Sequence, residues 1–101
     1  MNNTTHWTVP LDHPAFAGHF PGTPILPGVV LLDVALQMIA AATGIALDLC
    51  EIGSVKFLSP ASPGDELAIQ HTVSAIGAIR FDILAGTRKI VSGSIVPGAQ
   101  V

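Results

Sequence analysis

The chain has 101 residues, half of them apolar and 11% charged, with a net charge of −3. Those values describe one small globular domain, residues 1–101, and argue against disorder, whose marks are low hydrophobicity and high charge. Only four Lys and Arg are present, with no basic run, so a nucleic-acid surface is not expected. In chain order, Met1 to Pro10 carries no basic and apolar leader pattern, so no signal peptide is expected. His6 to Val9 reads as a first strand, ending at Pro10. Asp12 to Pro27 holds Pro14, Pro21, Pro24 and Pro27 with Gly18 and Gly22. Proline at that density forbids helix and central strand alike. Phe16, Phe20, Ile25 and Leu26 give the loop an apolar side that favours an ordered course.

Gly28 to about Thr43 reads as a helix, with Pro27 at its start and Gly44 as its stop. It is apolar nearly all round, which predicts a buried helix. Asp33 is its one charge, and a carboxylate in such a setting is costly unless paired or neutralised. A solvent-facing Asp33 is the plainer alternative, but so apolar a helix leaves little surface for it. Gln37 stands four residues on, on the same face. The longest apolar stretch, Ile25 to Leu49, is broken by Pro27, Asp33, Gln37 and Asp48, so no membrane span is expected. From Ile52 the period becomes two. Strands are predicted over Ile52–Leu58, Leu67–Ser74, Ile79–Ile83 and Lys89–Val96, with turns at Ser59–Asp65, Ile76–Ala78 and Gly86–Thr87. Consecutive strands with short turns predict antiparallel pairing. The fold class is therefore α+β: one long buried central helix wrapped by an antiparallel sheet. At this length a lone chain buries about two-thirds of its unfolded surface, so an oligomer is expected. A single cysteine, Cys50, forms no internal disulfide and fits a reducing, cytoplasmic compartment. It reads as a buried, inert thiol. His71 alternates with apolar residues and reads as a core or interface histidine, His6 as surface, and Trp7 and Phe81 as core or tunnel lining. No Cys/His spacing suits a metal.

Three features of Gly18–Gln37 bear on chemistry: His19 in a rigid Pro/Gly frame, Asp33 in an apolar helix, and the Pro27-Gly28 helix start. Taken singly each has a structural explanation. Together the run Gly18-His19-Phe20-Pro21, Pro24, Pro27-Gly28, Asp33 and Gln37, preceded by His13-Pro14, resembles the signature of the (3R)-hydroxyacyl-acyl-carrier-protein dehydratases, the FabA/FabZ-like group of the hot-dog fold. Val55-Lys56-Phe57-Leu58-Ser59-Pro60 and Pro63-Gly64-Asp65 resemble that group's following strand and turn. The resemblance spans roughly Leu11 to Gly93. It implies a dimeric hot-dog fold and dehydration of carrier-bound 3-hydroxyacyl thioesters to trans-2-enoyl thioesters.

By that resemblance His19 is the base for the C2 proton and Asp33 the acid for the departing hydroxyl. The two would come from different subunits. Gly28, assisted by Val29, would hold the thioester carbonyl with backbone N–H groups, Gln37 would orient Asp33, and the carbonyl of Ile25 would fix the tautomer of His19. A carboxyl in an apolar tunnel is expected to hold its proton more tightly than a free one. The implied partner is an acyl carrier protein, whose phosphopantetheine carries the substrate; no other cofactor is implied. Lys56, Arg80, Arg88 and Lys89 are the only cations available to dock it. The assembly is expected to be a homodimer, a higher oligomer or a heterodimer with a related hot-dog subunit. The short chain resembles the dehydratases of pigment and aryl-polyene clusters. Two other readings stand beside the dehydratase: a hot-dog acyl thioesterase and a non-catalytic hot-dog partner subunit.

Overall fold

Hydrophobic alternation and turn chemistry place six elements along the chain. The computed structural model describes residues 2–12, 26–47 and 50–98. Within them lie β1 (Asn2–Thr8), α1 (Gly28–Thr43), β2 (Cys50–Phe57), β3 (Glu66–Val73), β4 (Ile79–Ala85) and β5 (Arg88–Pro97). The helix has the bounds that its punctuation predicts. Pro27 precedes it at φ −58°, and Gly44 closes it in the left-handed region at φ 75°, its N–H donating to the Ala40 carbonyl. That φ is open to glycine at little cost. The first strand starts earlier than the sequence suggests, because Asn2 to Thr5 pair along β3 despite their polarity.

The five strands form one antiparallel sheet in the order β1-β3-β4-β5-β2. This corrects the expectation that consecutive strands pair. β2 and β3 are not neighbours; β2 pairs with β5 on the far edge. Residues 58–65, which read as a simple turn, instead carry the chain across the end of the sheet. Their course is held by Arg88, whose guanidinium donates to Ser59 Oγ at 2.7 Å and the Pro60 carbonyl at 2.9 Å, and reaches Asp65 Oδ2 at 3.4 Å.

The sheet's register explains its core. Ile69, Ile83 and Val91 sit side by side across β3, β4 and β5, and so do Val73, Ile79 and Ile95. Leu31, Ala35 and Ile39 of α1 recur every four residues and join the same buried cluster. Each row runs on into β2, where Phe57 lies beside Val91 and Ile52 beside Ile95. There the cover ends: Ile52 is 54% exposed and Phe57 55%. β2 is thus an edge strand whose inner face is apolar and uncovered within one chain.

The central row places His71 between Asn3 and Phe81. The histidine is buried, as expected, and neither ring nitrogen has a hydrogen-bond partner among the described residues. Burial holds its pKa below the ordinary value of 6.5, since desolvation penalises the imidazolium. The unfolded chain therefore binds the extra proton first. Stability is full above about pH 6.5 and falls as pH drops through that value toward the lower folded one. His71→Leu is expected to remove this slope. One pH unit below 6.5 the variant should gain up to about 1.4 kcal/mol on the native protein, read by urea unfolding at both pH values. Parallel curves for the two proteins would refute it.

Candidate functional site

The helix start is held on both sides. Just before it, the Leu26 N–H donates to the Ala61 carbonyl at 2.8 Å, an isolated bridge that pins the chain as it enters α1. Pro27 offers no side-chain cap. Its carbonyl accepts from Val30 N–H at 3.0 Å and Leu31 N–H at 3.2 Å. The N–H groups of Gly28 and Val29 have no acceptor among the described residues, the ordinary state of a helix's first amides. They carry the positive end of the helix dipole.

A cavity of about 860 Å³ opens at this helix start, lined by residues 26–29 with Leu31 and Leu32 on one side and by 57–60 on the other. Its walls are apolar apart from backbone groups and Ser59, whose hydroxyl already accepts from Arg88. Two amides without an acceptor among the described residues, at the head of an apolar cavity, suit an oxygen that gains negative charge, such as a thioester carbonyl passing to an enolate.

Asp33 is exposed in the single chain. This corrects the expectation of a carboxylate enclosed by an apolar helix. The sheet covers only the Leu31/Ala35/Ile39 side, so residues four apart from Val29, namely Asp33, Gln37 and Ala41, form an uncovered stripe. Gln37 Nε2 donates to Asp33 Oδ2 at 2.9 Å. That bond leaves Oδ1 without a described partner. Gly28, Val29, Asp33 and Gln37 thus lie on the first three turns of α1. His19, and the Ile25 carbonyl assigned to it, lie outside the described residues, as do His13 and the rest of residues 13–25. Cys50 is half-buried at the start of β2 rather than fully enclosed. Of the four cations, Arg88 is engaged with the crossing segment, and Lys89 pairs with Asp82 at 3.5 Å. Phe57 is a cavity residue that sequence reasoning missed. It was legible only as part of the Lys56-Phe57 strand pattern.

The family model described as ApeI dehydratase, of the ApeI-like family, matches residues 2–94. The chain belongs to the ApeI-like dehydratase family. Among the members of the wider group, the 3-hydroxyacyl-[acyl-carrier-protein] dehydratase FabZ of Geobacter metallireducens is 33% identical over 102 aligned positions, covering 92% of this chain and 67% of that protein. A FabZ of Chlamydia trachomatis is 38% identical over 79 positions, 69% of this chain and 52% of that one. The chain thus spans between about half and two-thirds of the length of these curated relatives. In fold, this ApeI-like chain superposes on the dehydratase heterocomplex ApeI:P from Xenorhabdus doucetiae with a TM-score of 0.78 at 24% identity, covering 94% of this chain and 85% of that one. The central helix with its five-stranded antiparallel sheet is accordingly the hot-dog fold. No helix among the described residues is long and apolar enough to cross a membrane.

Proposed function

We propose that this ApeI-like chain dehydrates (3R)-hydroxyacyl thioesters carried on the phosphopantetheine of an acyl carrier protein. The observation that carries the reading is the apolar cavity headed by the Gly28 and Val29 amides, which have no acceptor among the described residues. The acyl chain lies along the cavity, with its thioester carbonyl on those amides. His19 takes the C2 proton, and the electron pair moves toward C1 while the amides hold the oxygen. The C3–O bond then breaks as Asp33 gives its proton to the leaving hydroxyl. Water departs, and a C2=C3 double bond remains. Hydroxide leaves poorly without that proton, so the carboxyl matters as much as the base. Gln37 holds Asp33 in one orientation for the transfer.

The active assembly is a dimer. The resemblance gives the base and the acid to different subunits, and the outward stripe of Asp33 and Gln37 supports that division. A carboxyl facing away from its own sheet is available to a neighbour's cavity. The solved ApeI:P relative is a heterocomplex, so the second subunit is either another copy or a related hot-dog chain.

Mass spectrometry of a 3-hydroxyacyl-carrier thioester after incubation with the protein tests the reading. Loss of one water from the intact carrier adduct is the expected result. Release of free acid would instead identify a thioesterase, and an unchanged adduct, alone and with a co-purifying hot-dog subunit, would refute the dehydratase assignment.

A further inference from the structure

The edge strand and the helix start meet at a contact that the reaction scheme does not use. Gly28 lies directly beneath the ring of Phe57. A Cβ added at Gly28 would stand 2.7 Å from Phe57 Cε1, 2.9 Å from Cδ1 and 3.1 Å from Cζ. No Cβ approaches a ring so closely, so the ring occupies the space that any side chain at position 28 would need. The two peptides that flank Gly28 carry the amides at the head of the cavity.

Phe57 is also poorly placed to be a core residue. Its ring is 55% exposed and belongs to an edge strand. A more fully buried aromatic of this sheet, Phe81, is 2% exposed in the middle strand. Within one chain Phe57 therefore contributes less to holding the fold than its size suggests, while its ring lies against Gly28, whose two flanking peptides carry the site's donors. From the other direction, the Leu26–Ala61 bridge and Pro27 restrain the chain just before Gly28. The ring supplies the opposing restraint from β2.

We infer that Phe57 is a positioning residue. Its ring clamps the Pro27–Gly28–Val29 turn, so that the two amides point into the cavity without reorganising as charge develops on the carbonyl oxygen. This rests on the dehydratase reading above and extends it to a side chain that does not touch the reacting atoms. An amide pair that has to settle into place during the reaction loses its advantage in the transition state rather than in binding. The effect therefore belongs in kcat more than in KM.

The test is a four-protein comparison: native, Phe57→Ala, Gly28→Ala, and the double variant Gly28→Ala with Phe57→Leu. Circular dichroism and melting confirm that each is folded, and native mass spectrometry that each keeps the native protein's assembly, since Phe57 shares the uncovered face of β2 with Ile52. Turnover is measured on a 3-hydroxyacyl-pantetheine thioester, and affinity for the matching trans-2-enoyl-pantetheine thioester by calorimetry. Phe57→Ala is expected to lower kcat by about tenfold or more, with KM changed by less than about threefold. Gly28→Ala, which drives its methyl into the ring, is expected to lose at least as much. Leucine at 57 vacates that space, so the double variant should be more active than Gly28→Ala alone. A purely structural aromatic would not give this rescue. Unchanged kcat in Phe57→Ala, or a double variant no better than Gly28→Ala, overturns the inference and leaves the dehydratase reading standing. If the native protein removes no water, the dehydratase reading fails, and the clamp is judged on affinity. A weakened enoyl-thioester complex in Phe57→Ala, restored between the single and double Gly28 variants, supports it; equal affinities, or no binding to the native protein, overturn it.

Discussion

Asp33→Asn is expected to slow water loss by about 10²–10⁴-fold, the usual contribution of one positioned acid. Asparagine keeps the volume and the ability to accept from Gln37 but has no acidic proton to give. Because Asp33 is exposed in the chain and makes its described side-chain bond only to Gln37, the fold should hardly notice. A change within about 0.5 kcal/mol in unfolding free energy is expected, as for a surface substitution. That separation of activity from stability is the useful result. It is read by timed mass spectrometry of the carrier-bound substrate beside urea unfolding of both proteins. An Asn variant within about threefold of the native rate would remove the carboxyl from the mechanism, whatever the fate of the rest of the scheme.

Ile52→Lys is expected to separate the subunits. Ile52 ends the core row of Val73, Ile79 and Ile95 on the uncovered side of β2, and more than half its surface is open in the single chain. In a dimer that closes over this edge, the substitution places an ammonium where an apolar contact was. Charged groups at the centre of an interface commonly cost about 2 kcal/mol or more, roughly 30-fold in Kd. Native mass spectrometry at micromolar concentration should then report a single chain of 10.4 kDa. Dehydration should fall in step with the lost assembly, because a site built from two subunits dilutes away with it. Full activity in a monomeric Ile52→Lys would place the whole site within one chain. An intact dimer would move the interface elsewhere.

Both experiments concern the part of the molecule that was least legible from its sequence. The helix is readable because its boundaries are chemical: proline fixes the entry, and glycine takes the left-handed exit. The strands after it are readable because Leu67, Ile69 and His71 alternate with polar or small neighbours and all turn inward. Strand order was another matter. The Pro-Gly-Asp segment has the composition of a hairpin turn, yet it serves as a crossing, and no local signal separates the two uses. Which partner a strand selects depends on the rows it completes: β2 completes those of β5, through Ile52, Val55 and Phe57, around a bulge at Gly53.

The candidate site divides along the same line. Gly28, Val29, Asp33 and Gln37 share one helix, so their spacing alone gives their common neighbourhood, and the Gln37–Asp33 bond follows from a four-residue separation. The exposure of Asp33 did not follow. Composition shows that most of the helix is apolar; it does not show that the sheet reaches only one side. The Phe57 contact joins residues 29 positions apart, and nothing in either local segment announces it.

The two margins of the sheet are unlike. β1 presents Asn3, Thr4, His6 and Thr8 to solvent, while β2 presents Ile52 and Phe57 among its exposed residues and is bulged at Gly53 against β5. A chain with two adhesive margins could add neighbours at both and grow into a fibre. With a hydrated margin on one side and an apolar one on the other, only one margin favours burial against a neighbour. That asymmetry suits the two-subunit assembly proposed above rather than an open-ended one.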